Sequence, residues 1–251
     1  MKAEWFELWF DTPYYHILYK SRGDEEAQKL IDNLEKHLGF KKDWLFCDMA
    51  CGKGRHSVYL NSKGYDVIGL DLSPNNVWHA QQSENNRLQF FEHDIREVFR
   101  ENEFDVMLNL FTSFGYFEEQ LENQEAVVAM AKNIKPGGTM VIDYMNSRKA
   151  IEDFNTHYEK KVNDILFNID KKIEKGFIFK KISFSDKGED FSFEERVKLL
   201  FLDDFEMFFK AAGLELVNVY GDYQLESYDE HQSDRMVMVC KKTHLGVNIS
   251  K

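Results

Sequence analysis

Cysteine is scarce in this chain, with Cys47, Cys51 and Cys240 the only three in 251 residues. Three thiols cannot build a disulfide framework, and a reducing, cytoplasmic setting is the expectation. No apolar run approaches the ~20 residues of a membrane-spanning helix, so no membrane span is expected. Residues 1–11 lack the apolar core of a signal peptide, because Glu4, Glu7 and Asp11 interrupt their aromatics. Basic residues are outnumbered, 32 Lys and Arg against 44 Asp and Glu, for a formal charge of −12. That balance disfavours a broad nucleic-acid surface, whose affinity comes from cations on phosphates, and no nucleic-acid partner is expected. Internal repeats and low-complexity segments are also missing. What remains is a 43 % hydrophobic chain, long enough for one full core or one core with an insertion, and small-molecule partners are favoured.

The most informative stretch is Leu45-Phe46-Cys47-Asp48-Met49-Ala50-Cys51-Gly52-Lys53-Gly54-Arg55-His56. It reads as a buried strand, a glycine-poised turn and a helix. A second strand-like run, Asp66-Val67-Ile68-Gly69-Leu70, ends at an acid, Asp71. Small residues at such a turn let a ligand approach the backbone, and a carboxylate at the next strand tip suits ribose hydroxyls; the pair is the skeleton of a nucleoside-binding βαβ unit.

The first 145 residues alternate as an α/β pattern. A helix opens at Asp24 and stops at Gly39, with Ala27, Leu30, Ile31, Leu34 and Leu38 at helical spacing. Strands are expected over 44–49, 65–70, 88–92, 104–110 and 139–144, and helices over 54–63, 74–83 and 118–134. Lys135-Pro136-Gly137-Gly138 reads as a turn. Continuously apolar strands of this kind suit a parallel sheet buried on both faces. After Met145 the period changes to two. Ile165, Phe167, Ile169 and Ile173, then Ile178, Ile182 and Phe184, then Phe191, Phe193, Val197, Leu199 and Phe201 alternate with polar residues, with Lys175-Gly176 and Asp186-Lys187-Gly188 as turns. This predicts an antiparallel meander with one wet face, on which Lys171, Lys172, Lys180 and Lys181 would be solvated. A helix over 204–212, a strand over 214–219, a last strand over 235–240 and a loose tail complete the chain. The resulting division is an N-terminal helical segment or lid (1–40), a core (41–145 and 203–242), an insertion (146–202) and a tail (243–251).

With these motifs in place, the chain resembles the class I S-adenosylmethionine-dependent methyltransferases over nearly its whole length. The likeness is carried by the turn from Asp48 to Gly54, by Gly69-Leu70-Asp71-Leu72-Ser73, by His93-Asp94-Ile95, by Phe104-Asp105-Val106-Met107-Leu108-Asn109-Leu110-Phe111 and by Ile134-Lys135-Pro136-Gly137-Gly138. The run Ala-Cys-Gly-x-Gly-Arg-His followed by Phe111-Thr112-Ser113-Phe114-Gly115-Tyr116-Phe117 is similar to the small-molecule branch, which includes amino-sugar N-methyltransferases. The resemblance implies a Rossmann-like seven-stranded sheet with the last strand antiparallel, helices on both faces, and the meander inserted between strands five and six. S-adenosyl-L-methionine is the implied cofactor. Asp48 would hold the amino end of its methionine moiety, and Ala50, Cys51, Gly52 and Gly54 would line the turn beside it. Ala50 stands where the family more often has glycine, and its Cβ argues against a positive φ there. Asp71 would accept both ribose hydroxyls, Leu72 would pack on adenine, and Asp94 with Ile95 would meet the adenine amine and ring edge. Asn109 would border the methionine portion. Tyr14, Tyr15 and Arg22 are candidates for a closing N-terminal segment, with Arg22 on the carboxylate.

The implied chemistry is in-line displacement at an activated methyl, with positioning as the main contribution of the protein. No base stands out; His93, Glu118 and Glu119 lie on candidate loops, and Tyr116 is a weak catalytic candidate. That absence favours N-methylation of a small-molecule acceptor, or a substrate that needs little proton removal, since a hydroxyl wants a base with pKa near neutrality. His56 reads as packing, and Cys47 and Cys51 fall at no recognisable zinc spacing, so no metal is expected. The Trp5-Phe6-Trp9-Phe10 cluster reads equally as a lid or as a docking helix. Two rivals remain: an NAD-dependent oxidoreductase, whose third fingerprint glycine is here Ser57, and a non-catalytic S-adenosylmethionine-binding regulatory protein. An uncovered meander edge could also pair two copies as a homodimer through the insertion.

Overall fold

The computed structural model describes residues 9–19 and 24–243. Arg22, Trp5 and Phe6, named above as candidates, lie outside the described residues.

The alternation in the first half folds as read. Strands β1 (Leu45–Met49), β2 (Asp66–Asp71), β3 (Leu88–Glu92), β4 (Phe104–Asn109) and β5 (Ile134–Met145) join β10 (Leu214–Tyr220) and β11 (Arg235–Lys242) in one sheet. The strand order is β10-β11-β5-β4-β1-β2-β3. β1, β2, β3, β4 and β5 pair in parallel, and β11 runs antiparallel to both β5 and β10. Successive residues of each strand feed opposite faces, as a period of two requires. Cys47, Ile68, Met107 and Ile142 face a core with helices α5 (Gln120–Asn133) and α7 (Leu202–Ala211). Phe46, Val67, Val106 and Val141 face the other core, with α2 (Asp24–Leu38), α3 (Arg55–Ser62) and α4 (Pro74–Gln81).

Two details differ from the reading above. Lys135-Pro136-Gly137-Gly138 is not a turn ahead of β5 but a bulge within it. Phe104 pairs Ile134, the register then shifts, and Gly137 takes φ +78° so that Val106 can meet Thr139. The meander also has a fourth strand. Its sheet is β6 (His157–Val162), β7 (Ile165–Glu174), β8 (Phe177–Asp186) and β9 (Glu189–Lys198), antiparallel throughout. β6 escaped because its residues, His-Tyr-Glu-Lys-Lys-Val, carry almost no apolar alternation. The short helix α6 (Ser147–Glu152), with Asn146 as its cap, escaped as well.

The inner face of this second sheet is not bare. Ile165, Phe167, Ile169, Ile182 and Phe184 form a core with Trp9, which precedes helix α1 (Pro13–Leu18), and with Leu18, the last residue of that helix. Lys180 is a correction to the solvated face: it bonds the buried Glu195 and the Tyr19 hydroxyl instead. Among the described residues, no helix is long and apolar enough to cross a membrane.

Candidate active site

Sheet order reverses between β1 and β4, and the crevice at their carboxyl ends is where ligands collect in open α/β sheets. A cavity of about 810 Å³ lies there. Its lining runs from Phe10, Asp11, Tyr15, His16 and Tyr19 through the β1–α3 turn, the tip of β2, Glu92 to Arg96, and the loop after β4 as far as Phe117.

The β1–α3 turn is built from left-handed backbone. Ala50 has φ +60°, Gly52 +58° and Gly54 +81°. The expectation that alanine excludes a positive φ is therefore wrong here. Ala50 adopts it, at a cost of about 1–2 kcal/mol for an L-residue, and the turn is held from outside. Cys51 N–H donates to the Leu70 carbonyl at 2.9 Å and Gly52 N–H to Asp71 Oδ2 at 2.8 Å. Gly54 opens α3 and packs rather than lines: a Cβ there would sit 2.7 Å from the Phe90 ring. Cys51 and Gly52 do line the cavity, with Lys53 and Arg55.

Asp48 is almost fully buried and accepts one strong hydrogen bond, from Ser57 Oγ at 2.6 Å. Burial pushes its carboxyl up to about 6, against the pull of Ser57 and of the Arg55 charge. Its carboxylate borders the cavity, where the ammonium of an amino-acid moiety would add a counter-charge to that of Arg55, and that is the first observation by which the residues present fit S-adenosylmethionine. Asp71 is the second. Its oxygens receive Gly52 N–H, Ser73 N–H (3.0 Å) and Asn76 Nδ2 (3.2 Å), so three of about four acceptor directions are taken. Burial raises it, opposed by those three donors. The arrangement leaves room for about one ribose hydroxyl unless a donor yields, where the sequence suggested two. Leu72, Asp94 and Ile95 line the far end of the cavity. Burial would raise Asp94, but Arg96 clasps it through its backbone N–H, Nε and Nη2 and holds it below the usual carboxylate range.

Four expected residues, Tyr14, Asn109, Glu118 and Glu119, sit elsewhere. Tyr14 points away from the cavity, because one residue of helix turns a side chain by about 100°. Its hydroxyl donates to Asp186 Oδ2 at 3.0 Å and its ring meets Phe184 and Phe191, while Tyr15 and Tyr19 take the cavity side. Asn109 is fully buried beneath the lining, donating to the carbonyls of Met49 (3.0 Å) and Ser113 (3.2 Å). Glu118 and Glu119 lie outside the lining too, whereas His93 lines it with Nε2 3.0 Å from the Glu97 carbonyl oxygen. Among the described residues the insertion supplies no wall, since those that line the cavity fall between Phe10 and Phe117. Among the described residues, no group of three His, Cys, Asp or Glu side chains could hold a metal ion.

Sequence reading missed two imidazoles. His56 lines the cavity against Phe111, is pushed down to about 3 by burial and then by the Arg55 charge, and its buried Nε2 has no hydrogen-bond partner among the described residues. His16 is pushed down to about 4 by burial and the Lys53 charge. Both are neutral at physiological pH. Of the aromatic enclosure at the N-terminal side it named Phe10, Tyr15 and Tyr116 but not Tyr19: Phe10 lies 4.9 Å from Tyr15 and 5.2 Å from Tyr116, and Tyr15 lies 5.0 Å from Tyr19, ring to ring. The cluster reading resolves both ways, with Trp9 docked in the insertion core and Phe10 on the cavity.

A family model described as a methyltransferase domain matches residues 46–138. The chain is 26 % identical over 206 residues to a putative methyltransferase, YqeM, of Bacillus subtilis (strain 168), covering 78 % of this chain and 83 % of that protein. It is 25 % identical over 253 residues to the glycine/sarcosine N-methyltransferase of Parasynechococcus marenigrum (strain WH8102), covering 97 % and 86 %. The fold superposes with a TM-score of 0.72, at 21 % identity, on S-adenosylmethionine-bound CalS10, an amino pentose methyltransferase from Micromonospora echinaspora, covering 92 % and 98 %. Residues 46–138 are a methyltransferase domain, and the chain is similar over most of its length to methyltransferases that include an S-adenosylmethionine-bound one.

Proposed function

We propose that the protein transfers a methyl group from S-adenosylmethionine to the nitrogen of a small amine. The cofactor, when bound, supplies an activated methyl on a cationic sulfur leaving group. Asp48 would take its amino group, Asp71 a ribose hydroxyl, and Leu72, Asp94 and Ile95 the adenine end. The acceptor would enter on the side of Phe10, Tyr15, Tyr19, Phe111 and Tyr116. Those rings exclude water and hold the nucleophile in line, and such alignment can contribute ~7–11 kcal/mol.

The observation that carries the amine reading is the depressed basicity of two of the three lining imidazoles, His56 at about 3 and His16 at about 4; the third, His93, stands beside Asp94 at the adenine end, its Nε2 3.0 Å from the Glu97 carbonyl oxygen. A hydroxyl nucleophile needs a base near neutrality in the transition state, and His56 and His16 are poor ones. The Tyr116 hydroxyl donates its proton to the Thr112 carbonyl at 2.6 Å, which fits orientation of its ring better than proton transfer. A neutral amine attacks first and sheds its proton to water afterwards. The glycine/sarcosine and amino pentose enzymes named above act on amines, which supports the same reading.

The test is incubation with methyl-labelled S-adenosylmethionine and paired acceptors, glycine and an amino sugar against their hydroxyl analogues, read by mass spectrometry. Label on nitrogen is expected. Label on oxygen alone, with a pH–rate profile reporting an essential enzyme base, would refute the amine reading.

A further inference from the structure

Two consecutive residues after β4, Phe111 (φ +60°) and Thr112 (φ +59°), occupy the left-handed region without a glycine between them. For a bulky and then a β-branched side chain this is an outlier, and such backbone persists only where its surroundings over-determine it. The agent is a side chain that the methyl-transfer chemistry does not touch. Asp143, on β5, has no exposed surface. Its Oδ2 accepts from Phe111 N–H at 2.7 Å and from the Tyr223 hydroxyl at 2.9 Å, and its carbonyl accepts from Thr112 N–H at 2.9 Å. Arg235, on β11, donates from Nε to Asp143 Oδ1 at 2.8 Å and from Nη2 to Thr112 Oγ1 at 2.8 Å, with Nη2 in ion-pair contact with Asp143 Oδ1 at 2.7 Å. Met145 N–H donates to that same Oγ1 at 3.1 Å.

The consequences reach the cavity directly. The Phe111 ring, stacked on Tyr223 at 4.9 Å, lines the cavity beside His56. The Thr112 carbonyl is the one that orients Tyr116. The geometry points to Asp143 as a positioning residue: with Arg235 and Tyr223 it forces the left-handed Phe111–Thr112 pair and so sets the wall of the ligand cavity after β4. This rests on the proposed reading of that cavity as the cofactor and acceptor site.

The test is titration of S-adenosylhomocysteine into the wild type, Asp143→Asn, and the double variant Asp143→Asn/Thr112→Gly, well below each melting temperature. Wild-type binding supports the cavity reading; its absence refutes that reading and the inference falls with it, whereas wild-type binding that Asp143→Asn leaves unmoved overturns the inference alone. Given wild-type binding, Asp143→Asn is expected to weaken affinity about tenfold, the scale of one strained residue released. Glycine at 112, which adopts positive φ without penalty, is expected to recover most of that loss. A merely structural aspartate would lower the melting temperature without moving the affinity, and glycine would restore nothing; either result overturns the inference. Should Asp143→Asn fail to fold, Tyr223→Phe keeps the ring and removes one bond to Asp143. It is expected to weaken the same titration by about threefold, and unchanged affinity there overturns the inference equally.

Discussion

The indole Nε1 of Trp9 donates to Glu195 Oε1 at 2.6 Å, across 186 residues of chain. The other carboxylate oxygen takes the Tyr19 hydroxyl at 2.7 Å and Lys180 Nζ at 3.2 Å. Lys160 adds a bond from its ammonium to the Leu18 carbonyl at 2.8 Å. The insertion therefore serves the cavity at one remove. It anchors the segment carrying Phe10, Tyr15, His16 and Tyr19 and contributes no lining residue of its own.

Replacing Glu195 by Gln tests that anchorage. Lys180 would lose its counter-charge in a largely buried setting, and breaking such pairs costs about 3–5 kcal/mol, less here because Lys180 keeps some solvent. A lower unfolding midpoint in urea is expected, together with weaker S-adenosylhomocysteine binding as Tyr19 is released. An unaltered midpoint would remove Glu195 from the account. Burial alone would raise this carboxyl, but Lys180 and the bonds from Trp9 and Tyr19 hold it below its ordinary value. Its stabilising contribution is thus present above the unfolded-state value and is lost as pH falls through the lower folded one.

Asp48 gives the opposite sign. Its carboxyl, raised to about 6, favours the protonated form in the ligand-free fold. Its contribution to stability is full below its unfolded value and is lost as pH rises through about 6, on the order of 2–3 kcal/mol. Ligand binding should reverse the preference, since an ammonium beside Asp48 favours the ionised form. S-adenosylhomocysteine affinity is expected to rise between pH 5 and 7 with release of a proton, measured by calorimetry in buffers of different ionisation enthalpy. Affinity flat across that range would contradict the assignment.

Asp71→Ala should weaken S-adenosylhomocysteine by ~1.5–3 kcal/mol, the value of hydrogen bonds to a charged group. Part of that loss would come through Gly52 and Ser73, whose N–H groups Asp71 fixes. Unchanged affinity by calorimetry would exclude Asp71 from the site.

At Ala50, glycine should stabilise. Relief of the left-handed penalty, about 1–2 kcal/mol, exceeds the added unfolded-chain entropy, about 0.4–1 kcal/mol. The melting temperature is expected to rise by roughly 1–3 °C. A fall would show that the φ of +60° carries no strain.

The parallel sheet and its ligand end were legible because buried strands announce themselves by apolar runs, and because glycines and aspartates at strand tips have few other reasons to cluster. The hairpins at Lys175-Gly176 and Lys187-Gly188 were legible too, and both pairs take the positive φ that two-residue turns require. The turn at Asn163 and strand β6 were not, since a mostly polar edge strand lacks an apolar period. Glu195 falls between Phe193 and Val197 on the apolar parity of β9, an inner position, but nothing local to the strand named Trp9, Tyr19 and Lys180 as the partners of its carboxylate. Asp143 and the Phe111–Thr112 pair depend on contacts from β11 and Tyr223, about 80–120 residues away, which no local pattern encodes. Helical phase likewise decided between Tyr14 and Tyr15, and two adjacent tyrosines gave the sequence no means to choose.

The central claim is that the cavity between β1 and β4 takes S-adenosylmethionine. Side-by-side calorimetric titration of the wild-type protein with S-adenosylhomocysteine and with NADH tests it most directly. Saturable one-to-one binding of S-adenosylhomocysteine, abolished or strongly weakened by Asp71→Ala, with no heat from NADH, is the predicted result. Binding of NADH in its place, or of neither compound, would contradict the account.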